Sequence, residues 1–240
     1  MKRSFLFIML VAGFVIANAQ NVIYDANAEV RKVEKFTGIE VSGTVSLYIS
    51  QGNETGVAVS AEDQKYNSKI RTDVTNGTLH ISVDAGLWNG FSWTNKKLKA
   101  YVSVIDLNRM QVSGASYATI AGTLKAGDLK LDVFGASEVK GALQVKNLNM
   151  AVSGASVVRL SGIAENAIIE ASGAVRVNAF ELQVDRGKFD VSGASHITIS
   201  VNKELNANAS GGSTLQYRGS AVAGIVNANG GATIQKKSAL

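Results

Sequence analysis

Met110-Gln111-Val112-Ser113-Gly114-Ala115-Ser116 opens a run in which one phrase, usually Val-Ser-Gly-Ala-Ser, returns seven times before residue 232. Its glycines are Gly114, Gly135, Gly154, Gly173, Gly193, Gly211 and Gly230, so the successive steps, by subtraction, are 21, 19, 19, 20, 18 and 19 residues. A fixed period near twenty predicts a stack of equivalent units, each leaning on its neighbours, and not a single irregular core.

Aligned on that glycine, the copies give interpretable columns. Four residues before it stand Met110, Leu131, Met150, Ile169, Phe189, Ala207 and Val226; two before it stand Val112, Val133, Val152, Ala171, Val191, Ala209 and Ala228. The column between them reads Gln111, Asp132, Ala151, Glu170, Asp190, Asn208 and Asn227. Apolar columns flanking a mostly polar one are the period-two alternation of a strand with one face buried. Beyond the glycine a second strand follows, with Ala118, Val139, Val158, Val177, Ile197, Leu215 and Ile234 inward. Small residues at the intervening corner let the chain bend and let equivalent corners stack closely.

A unit of about twenty residues cannot enclose a core by itself, but it can when each coil lies on the last at roughly 4.8 Å. The expected fold is therefore all-β, a parallel β-solenoid of about 19–20 residues per coil, with right-handed coiling as the default for parallel crossovers. A β-propeller is the main alternative, although about twenty residues is only half of a four-stranded blade.

The 240 residues include 24 glycines, no proline and no cysteine, which rules out disulfides. The formal net charge is +5, of which Lys2 and Arg3 supply two, too weak a balance for a nucleic-acid footprint. Residues 1–19 read as a signal peptide: Lys2 and Arg3 form the positive start, residues 5–17 are apolar, and Ala17-Asn18-Ala19 is an A-x-A cleavage site. The chain is expected to be exported, to the periplasm, outer surface or medium, and no cysteine is present to carry a lipid anchor. Residues 20–35 form a lead-in. One solenoid domain spans residues 36–237, with irregular first coils over 36–109 and regular coils over 110–237.

In the irregular part, Thr75-Asn76-Gly77-Thr78 signals a two-residue hairpin turn and some antiparallel pairing. Residues 61–68 lean towards a turn or two of helix. Residues 85–96 break the alternation and hold Trp88, Phe91 and Trp93, the one dense aromatic cluster in the chain. These rings would either cap an open part of the early coils or recognise a ligand. Lys236 and Lys237 close the chain with charge, which discourages edge-to-edge growth.

Residues 36–52 (Phe36-Thr37-Gly38-Ile39-Glu40-Val41-Ser42-Gly43 and onward), the strand at 101–104 entering Val112-Ser113-Gly114-Ala115-Ser116, and the closing Asn229-Gly230-Gly231-Ala232 resemble the putative auto-transporter adhesin head GIN domain family. The resemblance covers about residues 33–237. It implies a β-helical exported domain of the kind typical of Bacteroidetes. Members often carry a proline near Ile105 or Asp106, which this chain lacks. The family supplies no agreed catalytic residues.

His80 and His196 stand far apart with no HExxH or His-x-His pattern, so no metal site is expected, and no phosphate- or dinucleotide-binding loop is present to imply a cofactor. The corner serines lack the G-x-S-x-G context of a nucleophile. Glu170 and Asp190 share an outward column, and adjacent coils would set their carboxylates roughly 5 Å apart, the spacing of a retaining glycosidase or, with Asn208, a calcium clamp. A solvated face explains the same acids more simply.

Three classes therefore compete. A structural or adhesive module binding an extracellular or cell-envelope partner, glycan or protein, needs only a rigid rod with repeating outer ladders. A carbohydrate-binding module needs aromatics with polar neighbours, which Trp88, Phe91 and Trp93 offer. A β-helical polysaccharide-degrading enzyme needs a convergent site, and none is evident. The first is preferred.

Overall fold

The structure is a computed structural model and describes residues 25–83 and 97–238. Five consecutive strands each trace most of one coil: β9 (Tyr117–Val133), β10 (Glu138–Gly154), β11 (Val157–Gly173), β12 (Arg176–Val191) and β13 (His196–Ala209). They stack parallel, and β14 (Thr214–Arg218), β15 (Val222–Ala228) and β16 (Thr233–Lys236) complete the pile. This is the expected parallel β-solenoid, of about 7 turns.

The register follows the sequence ruler. Tyr117 pairs with Glu138, Glu138 with Val157, Val157 with Arg176, Arg176 with His196, His196 with Thr214 and Thr214 with Thr233. These intervals repeat the glycine steps one for one. Differences in coil length are absorbed by register shifts after Lys140, Arg159 and Ala179, near one bend of the coil, and by further shifts after Val184 and Leu205; such bulges take up extra residues and leave the flanking ladders aligned.

Inside, the columns are continuous. Met110, Leu131, Met150, Ile169, Phe189 and Ala207, with Val112, Val133, Val152, Ala171, Val191 and Ala209, are none of them more than 3% exposed. Each of the larger side chains contributes about 1.5–3 kcal/mol of burial. Bulk is balanced between rungs: Phe189 pairs with Ala207, and the ring lies over Gly187, where a β-carbon would strike it. The same columns predicted Val226 and Ala228 inward, and there the structure differs. All of β15 is exposed, Val226 to 38%, because no further coil among the described residues covers it.

The first part of the chain is threaded out of order. β2 (Gly38–Val41) and β3 (Ser46–Gln51) form a coil whose two neighbours both come later in sequence. On one side lie β8 (Arg109–Val112) and β9; on the other lie β6 (Thr78–Val83) and β7 (Lys99–Val104). Beyond β6 and β7 the parallel stack stops. β5 (Ile70–Thr75) runs antiparallel to β6, β4 (Gly56–Ser60) antiparallel to β7, and β1 (Glu29–Arg31) antiparallel to β4. Within the lead-in, β1 thus forms an edge of the cap.

The β5–β6 hairpin turns on Asn76 and Gly77, with φ of 51° and 71°, the left-handed pair that Asn-Gly favours. Among the described residues the one short helix, a 3-10 helix over Gln64–Lys69, starts where the Asp63 carboxylate accepts a hydrogen bond from the Lys65 N–H. Among the described residues no helix is long and apolar enough to cross a membrane.

Candidate functional site

At the glycine corner the chain turns with φ between 70° and 96° and packs directly on the coil beneath. From Gly114 to Gly211 the amide after the glycine donates to the preceding glycine's carbonyl, as in Ala155 to Gly135 at 2.7 Å and Ala194 to Gly173 at 2.8 Å. The column has an eighth member that the ruler did not include: Gly114 sits on Gly43, whose carbonyl accepts from Ala115 at 2.7 Å. Val41-Ser42-Gly43 was the signal, separated from the regular copies by the out-of-order segment. The second serine of the phrase points inward. Ser137, Ser156, Ser195 and Ser213 are almost fully buried and donate to carbonyls of their own or the adjoining coil. These hydroxyls hold the corner together and face away from any substrate.

Beside the corner runs a shallow groove of about 520 Å³. Its outward columns bring together the acids expected from the sequence: Glu170 pairs with Asp190 and Asp190 with Asn208. The Asn208 amide donates to Asp190 Oδ1 at 2.8 Å, and Asn227 in turn donates to Asn208 at 3.1 Å, so Asp190 heads a ladder of amides. Serines 153, 172, 192 and 210 line the other side, Ala151 leaves a gap, and Phe134 stands at the N-terminal end. Phe134 was legible as the one copy in which an aromatic replaces the first serine. Asp132, in the same column, is withdrawn from the groove: it is 5% exposed and flanked by Lys130 at 3.5 Å and Arg109 at 3.8 Å.

A second outward face carries tyrosines. Alternation in β3, β7 and β9 points Leu47, Ile49, Ala100, Val102 and Ala118 inward, and so turns Tyr48, Tyr101 and Tyr117 outward. Tyr48 and Tyr101 are register partners and stack, their centroids 5.3 Å apart. Tyr117 is 54% exposed. One outward column reads Tyr101, Tyr48, Thr119, Lys140, Arg159 along the stack, and its neighbour reads Lys99, Ser46, Tyr117, Glu138, Val157, Arg176. The short Thr119 leaves a notch of about 210 Å³ between Tyr48 and Lys140, with Tyr117 and Glu138 at its flank. Tyr101 is fixed from behind: its hydroxyl donates to Asp25 at 2.8 Å, and burial together with that carboxylate pushes its pKa well above the usual phenol value. Sequence reading missed this face because its tyrosines stand at 48, 101 and 117 and only the threading of β2 and β3 between later strands brings them together.

Trp88, Phe91 and Trp93 lie outside the described residues. The two histidines are not brought together: His80 lies across from Glu40, with Nδ1 at 3.4 Å from its carboxylate, while His196 lies in the column of Tyr117 and Arg176. Partial burial, and then the Arg176 charge, hold the His196 pKa below its ordinary value. Among the described residues no group of three or more His, Asp or Glu is placed to hold a metal.

These features can be set beside known proteins. The structure is similar to that of a protein described as a putative adhesin from Bacteroides fragilis, with a TM-score of 0.81 at 22% identity over 88% of this chain and 96% of that one. It is also similar to a protein described as a putative lipid binding protein from Parabacteroides distasonis, with a TM-score of 0.67 at 19% identity over 88% and 97% of the two chains. A protein described as a putative adhesin, also from Parabacteroides distasonis, gives 0.70 at 16% identity over 88% and 96%. Likeness at such identities establishes a shared fold. No curated protein matches the chain. A family profile described as "Putative auto-transporter adhesin, head GIN domain" matches residues 35–221, most of the length, and the chain belongs to that family.

Proposed function

We propose that this chain is a non-catalytic, exported adhesive module that holds a surface or extracellular partner along its outer faces. The observation that carries the reading is the ladder geometry: outward side chains recur once per coil on a rigid stack, so a long partner meets one outward group from each coil every ~4.8 Å. Membership of the adhesin-head family and the adhesin-like fold neighbours support it. A lipid-binding role, suggested by one neighbour's description, would need an apolar hollow, whereas the coil interior is filled by buried Val, Leu, Ile, Met and Phe side chains.

The test is a binding screen of residues 20–240 against immobilised glycans, extracellular-matrix proteins and bacterial envelope fractions. Saturable binding to at least one is expected, and binding to none would remove the reading. The polysaccharidase alternative is checked alongside. Glu170→Gln with Asp190→Asn should leave binding and melting temperature nearly unchanged, since asparagine at 190 still offers an Oδ1 to the Asn208 amide. Polysaccharide cleavage by the wild type that this double variant lacks would make the chain an enzyme.

A further inference from the structure

We propose that the notch over Thr119 binds an anionic pyranose unit, a uronic acid or a sulphated sugar within a longer glycan. The inference rests on the adhesive reading and names a site and ligand class for it.

Three observations converge on this place. The first is the aromatic surface. Tyr117 presents a largely open ring at the flank of the notch, and Tyr48 forms one wall, held flat against Tyr101, which Asp25 anchors. Rigid, exposed rings offer faces on which the C–H side of a pyranose can lie at little entropic cost. The second is size. At about 210 Å³ the notch is smaller than the roughly 300–1,000 Å³ of pockets that enclose a drug-sized ligand, and it is open to solvent along the rod, so it suits one ring of a chain that continues in both directions.

The third is charge. Down the stack from the tyrosines lie Lys140, Arg159 and Arg176, facing one carboxylate, Glu138. Glu138 is engaged by Arg159. Among the described residues the Lys140 side chain, which lines the notch, has no salt-bridge or hydrogen-bond partner, so one cation at the notch remains for a ligand anion. A ring stacked on Tyr117 over Thr119 puts its exocyclic acid towards Lys140, the wall opposite Tyr48. Ammonium to carboxylate or sulphate is the charge-assisted contact that selects an acidic sugar over a neutral one. Glu138 and the Thr119 hydroxyl are left to accept from, or donate to, ring hydroxyls.

The experiment is calorimetric titration of residues 20–240 with a galacturonate oligosaccharide, a chondroitin sulphate oligosaccharide and a maltooligosaccharide of equal length. The carboxylated and sulphated arms separate the two sources of the anion, and the neutral arm measures what stacking gives alone. Binding is expected for one or both acidic glycans and to be at least roughly tenfold weaker for the neutral one. Tyr117→Ala and Lys140→Gln should each weaken acidic-glycan binding by about tenfold, while Tyr117→Phe retains it. Both positions are exposed, so the melting temperature serves as the control for folding. Equal binding of neutral and acidic glycans overturns the proposal, and so does unaltered binding by both Tyr117→Ala and Lys140→Gln. If the wild type holds a partner in the broader screen while these variants bind it normally, the adhesive reading stands and this site falls. If it holds no partner at all, both fall.

Discussion

At the scale of single residues, the corner column separates two effects that glycine usually combines. Gly193 and Gly122 have the same φ, +74°, but a β-carbon on Gly193 would lie 2.6 Å from the Gly173 carbonyl oxygen, whereas one on Gly122 would meet nothing within 4 Å. Gly122→Ala should therefore cost only the left-handed penalty, on the order of 1–2 kcal/mol. Gly193→Ala should cost that plus the clash, roughly 1–3 kcal/mol more, because the oxygen it strikes is already tied to the Ala194 amide. Urea denaturation of the two variants reads the difference directly, and equal losses would show that the coils can part at the corner without penalty. The column was legible because a stacked position accepts so little: any side chain there meets backbone, and the phrase repeats visibly. Gly43 belongs to the same column but stands 71 residues before Gly114, a spacing that no period of twenty reveals.

Among elements, the cap depends on one carboxylate. Asp25 accepts hydrogen bonds from Lys99, Tyr101 and Ser60 and from the Asn27 amide, so it links the lead-in to β4 and β7. Burial alone would raise its pKa, but the four hydrogen bonds together outweigh burial and hold it below the usual value of 3.8. A depressed carboxylate stabilises the fold above its unfolded pKa, and that contribution fades as the pH falls through the folded value. The cap should therefore loosen as the pH drops below about 4. Asp25→Asn should lower the melting temperature at pH 7 and flatten that acid-side decline, measured by melting from pH 7 to pH 2.5; an unchanged profile would place the acid sensitivity elsewhere. Local chemistry made some of these elements readable. The Asn76-Gly77 turn and the alternation of β3, β6 and β7 follow from propensity and pattern. The interleaving of β2 and β3 between later strands does not, since an alternating strand fits either side of any other. The tyrosine face, which depends on that interleaving, was hidden with it.

For the molecule as a whole, the regular coils are interchangeable in a way the cap is not. Deleting residues 155–173 joins Gly154 to Ala174 and sets β10 against β12 with the inward columns still in line, so the shortened chain should fold to a rod one coil shorter. Small-angle scattering and circular dichroism would show it, and an unfolded product would mean that the coils are individually specified. Removing residues 36–52 instead takes out β2 and β3, leaving β7 and β9 without the strand each pairs with between them, and should unfold the early half. The two ends also differ. Antiparallel β1, β4 and β5 close one, while β15 leaves Val222 at 74% and Ile225 at 66% exposure at the other. The interleaved first coil thereby decides how the rod wears. An exopeptidase working inward from the amino end and passing Gly38 pulls a rung out of the interior, and the stack above and below it parts. One working from the carboxyl end and passing Val222 only shortens the tip, one turn at a time, with the tyrosine face far behind. Trimming from the carboxyl end should therefore shorten the rod gradually, like a candle burning down, whereas trimming past Gly38 should collapse it.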